Sequence, residues 1–168
     1  MQSPFIYGSK SSLKYWKDLR QSLSGDMDDV AQLKSVVSYW SKAPTTVRSI
    51  NWDRPGEWPD PWQLIFNGNF DESSVALGMF YTLLLSSDGR WTSDRLALAL
   101  ILDKERQIQQ LVLEVDHRWL LNLDYNSVVD GLNVEKTFFM QQSYSYSEKD
   151  GFRIILPKSH TNFINKCS

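Results

Sequence analysis

With 168 residues, 42% of them apolar, and a formal net charge of −2, the sequence has the make-up of one folded domain and not of a disordered chain. A charge so near balance supplies no general attraction to nucleic acid or anionic lipid, so neither partner is expected. The single cysteine, Cys167, excludes an internal disulfide and a cysteine-based metal cluster, and His117 and His160 are too few and too far apart for a zinc site, so no metal or cofactor is expected.

In chain order, the N-terminus carries no apolar signal region, and no later run approaches the about eighteen apolar residues of a membrane span, so the expected location is a cytoplasm or a virion assembled there. Leu13, Trp16, Leu19 and Leu23 recur at helical spacing and predict a helix over 11–24. Gly25 stops it. Asp26 is the expected N-cap of a second helix, in which Val30, Leu33, Val36, Val37 and Trp40 form the apolar stripe up to the Ala43-Pro44 step. The two are expected to pair antiparallel.

Residues 44–61 hold four prolines and the cluster NWDRPGEWPDP, which suits neither a helix nor a central strand. A short helical turn over 62–67 closes at Gly68, and 71–86 reads as a helix that is apolar nearly all round, hence buried. After Asp88-Gly89 the period changes. RLALALILD, QIQQLVLEVD and HRWLLNLD predict a three-stranded meander, and KTFFMQQSYSYS with GFRIIL predicts a hairpin across EKDG. The fold class expected is α+β, with N-terminal helices and a buried central helix packed on an antiparallel sheet. Within a single domain over 1–168 the expected parts are a helical pair (1–43), a Pro/Trp-rich loop (44–61), a core (62–156) and a tail (157–168).

The succession WPDPW, GNFDE ahead of a buried helix, then VLEV and LNLD resembles the bacterial transglutaminase-like cysteine peptidases of the papain-like superfamily. Their pattern is roughly W-x-x-P, then G-D-C-D/E-D opening a helix, then H-x-V-L-x-V, then a strand ending in L-D-N. A cysteine at a helix N-terminus ionises more readily, a histidine on the next strand is its base, and an aspartate orients that histidine. The resemblance puts Phe70 at the nucleophile position, Gln110 at the base position and Asp124 at the orienting position. A phenyl ring cannot attack a carbonyl and an amide has no titration near neutral pH, so a degenerate site is implied.

Other chemistry is weighed against blander roles. Asp71 and Glu72 could form an acid/base pair, but acids in a helix's first turn complement its dipole and cap its amides. Asp116-His117 reads as a solvated turn, Asp124 as a turn-former, and Cys167 with His160 as part of a tail. Trp52, Trp58 and Trp62 suit the helix–sheet joint or, where exposed, a binding surface; Tyr144 and Tyr146 lie on one face of an expected edge strand that a neighbouring copy could extend. The expected function is a catalytically inactive domain that binds other proteins in a larger assembly, in the setting of a bacteriophage virion, with self-association open to it. The alternatives are a hydrolase with relocated acid/base groups and a cytoplasmic peptide-binding adaptor.

Overall fold

The computed structural model describes residues 3–46, 50–134 and 138–155. Four α-helices come first, α1 (Lys10–Ser22), α2 (Asp29–Trp40), α3 (Pro61–Asn67) and α4 (Glu72–Leu84). Six strands follow, β1 (Leu96–Asp103), β2 (Ile108–Val115), β3 (Trp119–Leu121), β4 (Val128–Asp130), β5 (Phe138–Ser147) and β6 (Gly151–Ile155). They form one antiparallel sheet in the order β4-β3-β2-β1-β5-β6. The α+β architecture is the one the periodicity predicts, with β4 a sixth strand that no alternation announces.

The helix α4 is the axis of the molecule because residues 73–83 are all buried. One side lies on the sheet face formed by Leu98, Leu100, Leu111, Leu113 and Tyr144, and the other receives the remaining helices. The far face of the sheet carries a smaller core of Ala99, Ile101, Val112, Leu120 and Met140, closed by Val134. Among the described residues no helix is long and apolar enough to cross a membrane.

Three expectations need correction. The first two helices do not form a hairpin pair: α1 packs on α3 and α4, while α2 packs on α4 and β4. Trp16 and Trp40 explain this, since both indoles donate to the same Thr82 hydroxyl of α4, at 2.9 and 3.0 Å. The cap of α2 is Asp28, which accepts from the Ala31 amide at 2.7 Å, and not Asp26. The strand carrying SYSYS is no edge, because β6 pairs with its outer side and β1 with its inner side.

A charged clasp ties α2 to the sheet. Arg95 donates to Asp29 at 2.8 Å and to Asp116 at 2.6 Å, and Arg90 reaches Asp29 and Asp88, both at 2.9 Å. The Arg95 hydrogen bond holds the Asp29 carboxyl below its ordinary value of 3.8, against some desolvation and with help from Arg90. A depressed folded value stabilises at pH above the unfolded value and is lost as pH falls through the folded one. Thermal unfolding should therefore lose midpoint as pH drops below 3.8, and Asp29→Asn should make that decline shallower.

Candidate functional site

The N-terminus of α4 is set by the segment before it. Asp60 and Gln63 form a capping box at the start of α3, and Gly68 ends that helix with φ 66°, a left-handed conformation that glycine takes without strain. Phe70 then bridges to Thr45, and the Thr46 amide donates to its carbonyl at 2.6 Å. Its ring is fully buried, 5.1 Å from Phe5 and 5.3 Å from Trp40. Asp71 is the N-cap, its Oδ1 accepting from the Ser74 amide at 2.7 Å and the Ser74 hydroxyl at 2.6 Å.

The helix therefore starts at Glu72, and Phe70 lies before the cap with its side chain in the core. Phe70, which the resemblance puts at the nucleophile position, thus has its ring in the core; Asp71, Glu72 and Ser73 line an opening beside Gln110, and Glu72 also lines the apolar one. Asp71 is occupied as a cap, which is the bland role expected of it. The carboxylate of Glu72 is exposed and has no hydrogen-bond partner among the described residues.

Gln110 stands where expected, near the start of β2. Its Nε2 donates to the carbonyl oxygens of Asn122 and, at 3.1 Å, Leu123. Asn122, the residue after β3, takes φ 68° and donates its Nδ2 to the carbonyls of Glu72 at 2.7 Å and Leu111 at 3.0 Å. The three segments of the site are thus fastened together by two side-chain amides. Asp124 is exposed on the rim of the cleft and makes no turn hydrogen bond among the described residues; the left-handed residues Asn122 and Asn126 shape that loop.

Asn122 belongs to the site and is a residue the sequence reading does not single out. The signal for it was an Asn directly after the last alternating residue of the strand, since Asn tolerates the left-handed region better than other side chains. Asn122→Ala loses both hydrogen bonds and puts an ordinary side chain at positive φ, so it should cost about 1–3 kcal/mol in denaturant unfolding. Asn122→Gly, which relieves the backbone, should cost less.

Around this clasp lie three openings that share Gln110. The first, of about 170 Å³, has an apolar floor of Val37, Trp40, Val75 and Met79 and a polar rim that includes Glu72, Asp124 and Tyr125. The second opens over the start of α4 between Thr45, Trp52 and Gln109. The third lies across Gln110 towards Asp103, Glu105 and Arg106.

Of the expected binding aromatics, Tyr144 is fully buried, and Trp58 is nearly so, showing only to an opening it lines with Ile50, Asn51 and Leu64. Tyr144 packs against Trp58 at a tilt, with centroids 4.8 Å apart, and donates its hydroxyl to the Trp52 carbonyl at 2.8 Å. Burial pushes the Tyr144 phenol up to about 12, aided by Asp53. Tyr146 packs inward on Phe80 and Phe152, because that face of β5 looks at α4. Trp52 is half-buried and donates to the Ser73 hydroxyl at 2.9 Å, which ties the Pro/Trp-rich loop to α4. Only Trp62 among them is exposed.

His117 sits in the turn between β2 and β3, left-handed like Asp116, with its Nδ1 2.9 Å from the buried Glu114 carboxylate. It lines none of the three openings. His160 and Cys167 lie outside the described residues.

No protein-family model matches the sequence, and no curated protein matches it. The fold is similar to solved structures of Legionella pneumophila LapG. The calcium-bound form is 16% identical with a TM-score of 0.68, over 94% of this chain and 84% of that one. The EGTA-treated form is 18% identical with a TM-score of 0.67, over 90% of this chain and 80% of that one. This likeness bears out the transglutaminase-like fold and, at such identities, the fold alone. Among the described residues no three His, Cys, Asp or Glu side chains converge to hold a metal ion.

Proposed function

We propose that this chain is a non-catalytic transglutaminase-like domain whose cleft binds protein. The observation that carries the reading is the use made of the cleft's polar groups. The helix N-terminus presents Glu72, a carboxylate in the place that favours a thiolate, and the amides of Gln110 and Asn122 spend their donors on backbone carbonyls. Groups committed in this way hold the architecture and have no proton to exchange near neutral pH. The cleft keeps an apolar floor and a polar rim, the make-up of a recognition site.

The competing hydrolase needs two titratable groups whose surroundings drive their pKa values apart. Asp71 is tied up as a cap and His117 stands away from the openings, which leaves Glu72 and Asp124, both exposed to water. Peptidase assays on denatured protein substrates should release no peptide product, and Cys167→Ser should leave the protein's binding unchanged. Product that appears and then stops on alkylating Cys167 would sink the reading.

For its setting we propose a bacteriophage virion, as a tail, neck or capsid-associated component, by analogy with other small enzyme folds reused for structure. Mass spectrometry of purified particles should recover the chain with portal or tail proteins. Recovery with soluble host proteins instead would favour the peptide-binding adaptor.

A further inference from the structure

The helical layer carries a second surface that the cleft does not use. Trp62 and Phe66 lie four residues apart on α3, one turn of the helix, and are 51% and 39% exposed. The N-terminal segment runs beside them, the Gly8 amide donating to the Phe66 carbonyl at 2.9 Å, and it adds Tyr7 at 75% exposure and Ile6 at 40%. Helix α1 borders this patch. Its exposed Lys10, Lys14 and Lys17 follow helical spacing, and Arg20 stacks on Trp16 at 4.1 Å and lies 5.2 Å from Trp62.

These cations are placed at some cost to the isolated fold. None of the four forms an ion pair with a described carboxylate, and the Arg20 Nε is buried without a hydrogen-bond partner. Lys10 is the first residue of α1, whose first turn holds no acid, so a positive charge sits at the positive end of the dipole. Like charges at this spacing repel. Aromatic groups with arginine beside them are the composition of a protein-binding hot spot.

The opposite chemistry is present on the same chain. The cavity beside Glu72 has two carboxylates on its rim, Glu72 and Asp124, no lysine or arginine in its lining, and an apolar floor. Its outer wall, the 122–126 loop, is strapped to the end of α2 by the Tyr125 hydroxyl, which donates to the Ser41 carbonyl at 2.9 Å. A cavity of about 150 Å³ admits a benzene molecule, so the 170 Å³ here has room for one phenyl ring. The two surfaces share no residue, one being built from the N-terminal segment, α1 and α3, and the other from α2, α4 and the 122–126 loop.

We propose that the occupant of this cavity is a second copy of the chain, whose α1/α3 face brings its lysines to Glu72 and Asp124 and its Phe66 ring to the apolar floor. This rests on the reading of the cleft as a binding site. Because the two surfaces differ, the contact is head-to-tail, and repetition makes a ring or a filament, with closure decided by the rotation between neighbours. A single small contact of this kind is weak, with a Kd of about 10–100 µM, and becomes durable when many copies are held together.

Sedimentation velocity of the full chain tests this at protein concentrations up to about 500 µM. The expected result is reversible association that weakens by about tenfold or more between low salt and about 0.5 M salt, as attraction between exposed charges should. Lys14→Glu/Lys17→Glu and Asp124→Lys should each be monomeric, and mixing the two should restore a 1:1 complex, because each keeps the surface the other lacks. Phe66→Ala should weaken association at all salt concentrations. All these side chains are exposed, and circular dichroism of each variant confirms its fold. A chain that stays monomeric throughout, or associates with no response to salt or to the charge reversals, overturns the proposal. That outcome with no peptidase activity leaves the non-catalytic reading standing, whereas thiol-dependent activity removes both.

Discussion

Thr82→Val is expected to destabilise the protein by about 2–4 kcal/mol, measured as a lower midpoint in urea with an unchanged slope. The replacement is close to isosteric, so almost no packing is lost. The hydroxyl is the whole difference. In the folded chain it accepts from the indoles of Trp16 and Trp40 at 2.9 and 3.0 Å and donates to the Gly78 carbonyl at 2.7 Å. All three residues are fully buried or nearly so, so water cannot replace the lost acceptor. Each indole N–H left without a partner costs about 1–3 kcal/mol, and the Gly78 carbonyl keeps only its helical role. Thr82→Ser retains the hydroxyl and should stay within about 1 kcal/mol of the parent. Two tryptophans from two different helices converge on this one oxygen, so the variant should also loosen α1 and α2 together, visible as a joint change in tryptophan fluorescence.

Periodicity alone was enough to place the helices, the meander and the hairpin, because a stripe at period 3.6 or an alternation at period 2 has one buried solution. It was enough, too, for the central place of α4, whose apolar residues leave no polar face to turn outward. What escaped it were the three-residue strand β4, too short to show an alternation, and details decided by a single residue's partner. GNFDE holds two acids that could cap a helix, and the resemblance put Phe70 at its opening. The ring found a hole between Phe5 and Trp40, Asp71 took the cap, and Glu72 took an exposed place at the cleft. LNLD likewise offered Asp124, but the strand stops at Leu121 and Asn122 turns left-handed to bind two carbonyls. Tyr144 and Tyr146 alternate as an edge strand's residues would; the pairing of β6 removes the edge, and their packing on Trp58 and Phe80 shows that both point inward. Side-chain alternation gives the face of a strand and carries no information on which neighbour lies beside it.

Gly78→Ala is the second substitution expected to be severe, with a net cost of about 2–3 kcal/mol. On propensity alone it should stabilise, since alanine is favoured over glycine within a helix by about 1 kcal/mol. A Cβ at this position, however, would lie 2.1 Å from Cη2 and 2.3 Å from Cζ2 of Trp40. The ring has little freedom to retreat. Its Nε1 is bonded to Thr82, and its faces meet Phe5 at 5.1 Å and Phe70 at 5.3 Å. Beside it lies the 170 Å³ cavity, of which Trp40 is part of the floor. The methyl group should therefore drive the indole towards that cavity, so that a packing change becomes a change in the binding site. Trp40→Leu, which removes the clashing atoms, should be costly alone yet partly rescue Gly78→Ala, giving a coupling energy of about 1 kcal/mol or more in a double-mutant cycle. If Gly78→Ala proves neutral, α2 must slide along α4 as a unit, and the close approach of Trp40 to Gly78 does not fix the position of the helix that walls the cavity.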